Sequence, residues 1–292
     1  MIPEFESFFS GGGLLDEGLR QSGVQIKCSY ELDPVCCEVA RANSEHAIVQ
    51  CNIEQKLALD DCHAHAAAFT YPCNRYSGIA AIHGMRVGDA LFLHAFRHIV
   101  LKRYELFWIE NVPGMLKFAV VMEALSKLPG YYVTTFCPVE TEIWLPQHRD
   151  RLILVGSRRP FQWNKPVSRR RISLKEILEK DPRVEIPKYV AKRLKGKYRD
   201  LPIISDPSRG DIAPTCVAHY SKDLSTRLVV DRRFKHGVRP YSVREYARLQ
   251  GLPDSFQFPC SDRAAYKMIG NGVSVPVGRW IGRETRRYFN SN

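Results

Sequence analysis

Short apolar runs alternate with helically spaced patterns along the first 157 residues, and that alternation constrains the fold more than anything else in the chain. Residues 5–9, 26–31, 47–50, 66–70, 106–109 and 152–156 read as strands. Residues 14–22, 35–42, 91–102 and 120–128 read as helices between them. Strands separated by helices pair in parallel through crossovers, so the pattern predicts an α/β fold with a doubly wound, mainly parallel sheet covered on both faces. From 158 to 240 the sequence turns Pro-rich and basic with only short strands, which predicts a second, smaller domain. Helical spacing returns at 243–250 and 275–288, so 241–292 is expected to return to the 1–157 domain.

Composition excludes several classes. The chain is 45% hydrophobic and 25% charged, as in ordinary globular proteins, and no apolar run reaches the length of a membrane span. The start, Met1-Ile2-Pro3-Glu4, lacks the basic and apolar regions of a signal peptide, so a cytoplasmic protein is expected. Nine cysteines scattered without a paired framework fit reduced thiols in such a compartment. No metal site is expected: Cys36 and Cys37 are adjacent, and His63 and His65 lack partners at ligand spacing.

Charge divides the two halves. Residues 1–150 hold 12 Lys and Arg against 18 Asp and Glu, net −6, whereas residues 151–292 hold 31 against 13, net +18. A surplus of that size predicts a polyanion-binding surface, and no amphipathic Trp/Phe-rich helix accompanies it to suggest a membrane. The run Arg169-Arg170-Arg171 is the densest part of it.

Chemistry is expected at the strand ends. The apolar run 66–70 leads into Tyr71-Pro72-Cys73, presenting a thiol at a strand's carboxyl end, and the strand at 106–109 is followed at once by Glu110-Asn111-Val112. In open α/β sheets ligands sit at those ends, so a nucleophile and an acid are predicted to share one cleft. The first strand runs into Phe9-Ser10-Gly11-Gly12-Gly13, and the second ends in Tyr30-Glu31-Leu32-Asp33. Glycines let the backbone approach a ligand, and the acid is placed to hold ribose hydroxyls. The spacing does not fit GxGxxG; it suits S-adenosylmethionine as well as or better than a nicotinamide dinucleotide.

These pieces resemble, in order, the motifs of the DNA cytosine-5 methyltransferases. They are Phe-Ser-Gly-Gly-Gly at 9–13, Glu31, Pro72-Cys73, Glu110-Asn111-Val112, Gln147-His148-Arg149-Asp150-Arg151, Arg244-Glu245 with Arg248-Leu249-Gln250-Gly251 and Pro253-Asp254, and Gly270-Asn271-Gly272-Val273. The resemblance implies a Rossmann-like methyltransferase domain, a target-recognition domain at 158–240, and methyl transfer from S-adenosylmethionine to carbon 5 of a flipped cytosine. Cys73 would add to carbon 6; Glu110 would protonate ring nitrogen 3; Arg151, with Arg149, would hold the base oxygen and the Glu110 side chain. Phe9 and Leu32 would cover the adenine faces, Gly11, Gly13 and Pro72 would border the cofactor, Glu31 would bind ribose, and Asn271 would close the methionine end. Ser77 to Gly88, with glycines at 78, 84 and 88, would form a loop closing over the base. The implied partner is double-stranded DNA in a bacterial, archaeal or phage setting. A cognate restriction endonuclease, where one exists, would be paired in function and not bound.

Three departures stand out. Asn74 occupies a position where the family usually has Gln, Asn52 occupies one where an Asp usually meets the adenine amine, and the recognition domain is short. Two other readings remain: an RNA methyltransferase on the same scaffold, whose Cys-Phe-Thr signature is absent, and a catalytically silent DNA-binding relative, against which intact Cys73, Glu110 and Arg151 argue.

Overall fold

The computed structural model describes residues 2–60, 62–72, 89–168, 170–197 and 199–291. The chain forms two compact units: Met1–Val139, Asp150–Pro166 and Val275–Asn292 in the first, Glu140–Arg149 and Val167–Ser274 in the second.

In the first unit β1 (Glu4–Phe8), α1 (Leu14–Gln21), β2 (Gln25–Glu31), α2 (Pro34–Asn43), β3 (Ala47–Gln50), β4 (Ala66–Phe69), α3 (Asp89–Lys102), β5 (Leu106–Asn111), α4 (Ala119–Ser126), β6 (Tyr132–Glu140) and β7 (Asp150–Ser157) precede the last helix, α9 (Val275–Asn290). Seven strands lie in the order β3-β2-β1-β4-β5-β7-β6. Pairings from β3 to β5 are parallel and β5–β7 is antiparallel. The chain runs outward from β1 to β3 and then returns to β4 on β1's other side, which puts the topological switch point between β1 and β4. β4 shows context overriding propensity: three successive alanines are poor strand formers, yet this central strand is wholly buried between neighbours. Phe8 of β1 stacks on Tyr30 and Phe69, each at 4.7 Å, joining three strands in one core.

Helices α1 and α9 meet through glycines. A Cβ on Gly18 would lie 2.4 Å from the Val275 carbonyl and 2.8 Å from Gly278 Cα, so only hydrogen fits there.

The second unit holds α5 (Leu174–Ile177), α6 (Lys188–Lys195), β8 (Ile203–Ser205), β9 (Arg227–Val230), β10 (Val238–Pro240), α7 (Val243–Leu249) and α8 (Asp262–Asn271). Its sheet is small, in the order β10-β9-β8. Segment 241–274 belongs with this unit and not with the C-terminal return, because Tyr246 of α7 stacks on Tyr220 at 4.9 Å and Tyr266 of α8 packs edge-on against both. A charged network lies beneath. Arg239, with its side chain wholly buried, donates to both Glu245 carboxylate oxygens and to Asp231, each at 2.7 Å. Hydrogen bonds from Arg233, then Arg239, hold the Asp231 carboxyl well below the usual carboxylate range. Glu245 also closes a capping box with Ser242 at the start of α7.

Counted by unit, the charge asymmetry narrows. The first unit has 19 Lys and Arg against 17 Asp and Glu, net +2, and the second 24 against 14, net +10. The basic stretches 150–166 and 275–292 fold into the first unit, which is close to neutral instead of acidic.

Candidate active site

The site is built where β1, β2, β4 and β5 end. After β1 the backbone turns sharply: Phe9, Gly11 and Gly13 have φ of 60°, 55° and 83°. For the two glycines this costs nothing; for an aromatic residue it is strained, and Thr70 Oγ1 steadies it by donating to the Phe9 carbonyl at 2.9 Å. A Cβ on Gly11 would meet nothing within 4 Å, so the turn is open on that side. Gly13 caps α1.

Glu31 locks this turn to the end of β2. One of its oxygens accepts the Gly11 N–H at 2.7 Å, and the other accepts those of Leu32 and Asp33 at 2.8 Å each. A carboxylate offers about four acceptor positions, so one remains for a donor from outside. Leu32 leaves 60% of its surface exposed beside this turn. Half-buried Phe9 packs edge-on against Tyr71 at 6.2 Å. A carboxylate with spare capacity, an open glycine turn and exposed apolar surface together fit a nucleoside with its ring and its ribose. Asn52 is half-buried, and its side-chain oxygen accepts the Glu54 N–H at 3.0 Å, capping its own turn. That oxygen keeps a second lone pair.

The β4 end carries Tyr71, 3% exposed, and then exposed Pro72. Cys73, Asn74, Ser77, Gly78, Gly84, Gly88 and Arg169 lie outside the described residues. Asn111, which sequence reasoning used only as part of a motif, fastens two strand ends together. Its side-chain amide donates to the Tyr71 carbonyl at 3.2 Å, and its oxygen accepts Val112 N–H at 2.9 Å. The end of β5 is thereby tied to the residue two before Cys73. Adjacency to Glu110 was the available signal.

Glu110 sits near the end of β5, 9% exposed, opposite Ile153 of β7. Arg151, two residues before Ile153 and therefore on the same face of the sheet, places its Nε 2.7 Å from Glu110 Oε1. Arg151 is itself held by Nη1 donating to the Asp150 carbonyl at 2.7 Å. The pair is nearly buried, with 12% and 11% of the side chains exposed, so both groups are fixed in direction before any substrate arrives.

Arg149 differs from its expected placement. It is 2% exposed in the second unit, where it donates to the carbonyls of Cys216 at 3.0 Å, Gly270 at 3.2 Å and Gly272 at 2.6 Å. The arginine that pairs with Glu110 is Arg151. What Arg149 shapes is the Gly270–Gly272 turn bearing exposed Asn271, together with Gln250, which donates to the Ile269 carbonyl at 2.8 Å. Gly270 has no alternative, since a Cβ there would lie 2.3 Å from the Val217 carbonyl carbon. Among the described residues no His, Cys, Asp and Glu cluster could hold a metal ion, and no helix is long and apolar enough to cross a membrane.

Sheet order, crossovers and strand-end placement define a Rossmann-like methyltransferase fold. A family model for C-5 cytosine-specific DNA methylases matches residues 4–203 and 219–287, so the chain belongs to that family. Its activity is that of a DNA cytosine-5 methyltransferase. The chain is 30% identical to Type II methyltransferase M.NgoBI of Neisseria gonorrhoeae, over 92% of this chain and 88% of the relative. It is 28% identical to Type II methyltransferase M.NlaX of Neisseria lactamica, over 95% and 94%. Among solved structures, the Entamoeba histolytica methyltransferase EhMeth superposes with a TM-score of 0.82 at 17% identity, covering 99% of both chains, a likeness of fold. Members of the family use S-adenosylmethionine as a general rule.

Proposed function

We propose that the chain methylates carbon 5 of cytosine in duplex DNA through a covalent adduct on Cys73, with the target base turned out of the helix. The observation that carries this reading is the fixed Glu110–Arg151 pair beside a β4 end tied down by Asn111, two residues before Cys73. Carbon 5 is a weak nucleophile; addition of the Cys73 thiolate to carbon 6 pushes electron density onto it, while Glu110 supplies a proton to ring nitrogen 3. Arg151 orients Glu110 and offers its remaining N–H donors to the base oxygen. S-adenosylmethionine, when bound, supplies the methyl group as an electrophile. Loss of the carbon-5 proton then expels the Cys73 sulfur and restores the aromatic ring. Glu31 would hold the ribose, Phe9 and Leu32 the adenine, and Gly11, Gly13 and Pro72 would border the cofactor; Asn52 would accept from the adenine amine and Asn271 would close the methionine end. The segment after Pro72 would cover the base, since the reacting carbon is inaccessible in a stacked duplex. The second unit would choose the target, either beside a matching endonuclease or as a solitary enzyme.

Bisulfite sequencing of DNA from cells expressing the chain tests the reading. It should show one short motif protected at its cytosine; methylation confined to RNA would replace it. Duplex carrying 5-fluorocytosine at that position should trap a covalent complex, because fluorine cannot leave as a cation. Mass spectrometry should place the link on Cys73, and a link elsewhere would overturn the assignment.

A further inference from the structure

Helix α6, Lys188–Lys195, sorts its residues by face. Val190 is fully buried against Leu228 of β9 and Val238 of β10, with Ile186 and Leu194 packed alongside, so one side of the helix rests on the small sheet. Lys188, Lys192 and Lys195 fall at i, i+4 and i+7, one stripe, and all three are exposed. Among the described residues none of the three has an ion-pair partner, whereas Arg193 on the flank lies 3.0 Å from Asp223. Lys192 and Lys195 lie in the last turn, where the helix dipole favours cations, but Lys188 does not. Lys188 faces the positive end of the helix dipole with no acidic residue in the first turn, and Lys188 and Lys192 repel one another one turn apart. Three exposed lysines aligned on one face, with no ion-pair partner among the described residues, are suited to an anion from outside.

The arginine run singled out in the sequence is engaged instead. Arg170 pairs with Glu176, and Arg171 lies 3.7 Å from Glu142. We propose that α6 is a docking face for the sugar-phosphate backbone of duplex DNA, with Lys188, Lys192 and Lys195 each meeting a phosphate. The proposal rests on the reading of the chain as a duplex-DNA methyltransferase. At about 1.5 Å rise per residue the stripe is about 10 Å long. Phosphates of one strand recur about every 3.4 Å along the duplex axis, so about three fall within its reach. The small sheet fixes the stripe's direction, and the contact carries no base information, so it supports every sequence equally.

The test uses the full chain and two triple variants, Lys188→Gln/Lys192→Gln/Lys195→Gln and the charge-keeping Lys188→Arg/Lys192→Arg/Lys195→Arg, with folding checked by circular dichroism. Affinity for target and non-target duplexes is measured from low to moderate salt. For the Gln variant the slope of log affinity against log salt should flatten by about 2 to 3, at about 0.9 per contact, on both duplexes alike. The Arg variant should keep the wild-type slope, and a paired-site control, Arg170→Gln/Arg171→Gln, should change it less. Rates of methyl transfer at saturating DNA should stay within about twofold of wild type. A wild-type slope in the folded Gln variant, or a loss confined to the target duplex, would overturn the assignment of α6 while wild-type methylation of duplex DNA left the parent reading standing. A wild-type chain that neither bound nor methylated duplex DNA would overturn both.

Discussion

The two units hold their functional side chains by different means. In the first, an apolar sheet supplies the frame and the polar groups appear where strands stop: Glu110 and Arg151 are neighbours because β5 and β7 are in register, and Glu31 meets Gly11 because β1 and β2 end side by side. In the second, short strands and loops are joined by buried polar side chains, with Arg239 bridging Asp231 and Glu245, and Arg149 gathering carbonyls from Cys216, Gly270 and Gly272. Backbone geometry positions the one; side-chain hydrogen bonds position the other. A substitution at a strand end of the first unit should therefore cost chemistry with little stability, while a substitution in the second unit's network should cost stability first.

The sharpest break of that contrast is Cys73→Ser. It should lower methyl transfer by about four orders of magnitude or more, since a hydroxyl is far less acidic and less nucleophilic than a thiol, while duplex affinity, its salt slope and the unfolding midpoint stay at wild-type values. A variant that turned over normally would leave the covalent reading without a nucleophile. Next comes Arg239→Ala. It leaves the buried Glu245 carboxylate without its arginine, while Asp231 keeps Arg233, so urea unfolding should show a loss of about 3–5 kcal/mol; a loss below about 1 kcal/mol would mean that the network is not what holds the second unit together.

Smaller is Gly18→Ala, the matching probe of the first unit. Its added methyl must displace backbone of α9, for an expected loss of about 1–3 kcal/mol in the same assay. Unchanged stability would show that the α1–α9 contact yields without cost.

The smallest effect concerns acid. Asp231 has its folded pKa depressed by Arg233 and Arg239, so its contribution is fully present above the unfolded Asp value, near 4, and is lost as pH falls through the folded value. Asp231→Asn should accordingly flatten the fall in stability below about pH 4 and leave the neutral-to-alkaline profile parallel to wild type. A variant with the same acid limb as wild type would assign that limb to other carboxylates.

Much of the first unit was legible because its signals are local and repeated. The strands at 47–50 and 66–70 and the helices at 14–22 and 35–42 all fall within a residue or so of the observed elements. β6 escaped notice: it is an edge strand, its exposures do not alternate cleanly, and it contains Pro138, which edge positions tolerate. α8 was also missed, although Ser261 accepting from the Ala264 N–H gives it an N-cap that sequence can reveal. α6 was hidden within a stretch read as irregular and basic, where charge drew attention away from the apolar spacing of Ile186, Val190 and Leu194.

By itself the sequence determined most of the strand and helix order of the first unit, the strand end that carries Glu110, and the family, because periodicity and ordered motifs are properties of neighbouring residues. Only the tertiary structure decided which arginine accompanies Glu110, that Arg149 serves the Gly270–Gly272 turn, that Arg170 and Arg171 are already paired, and that Lys188, Lys192 and Lys195 have no ion-pair partner among the described residues. The physical reason is common to all four. A long charged side chain takes whichever partner lies within a few ångströms, and that distance is fixed by packing between segments far apart in the chain.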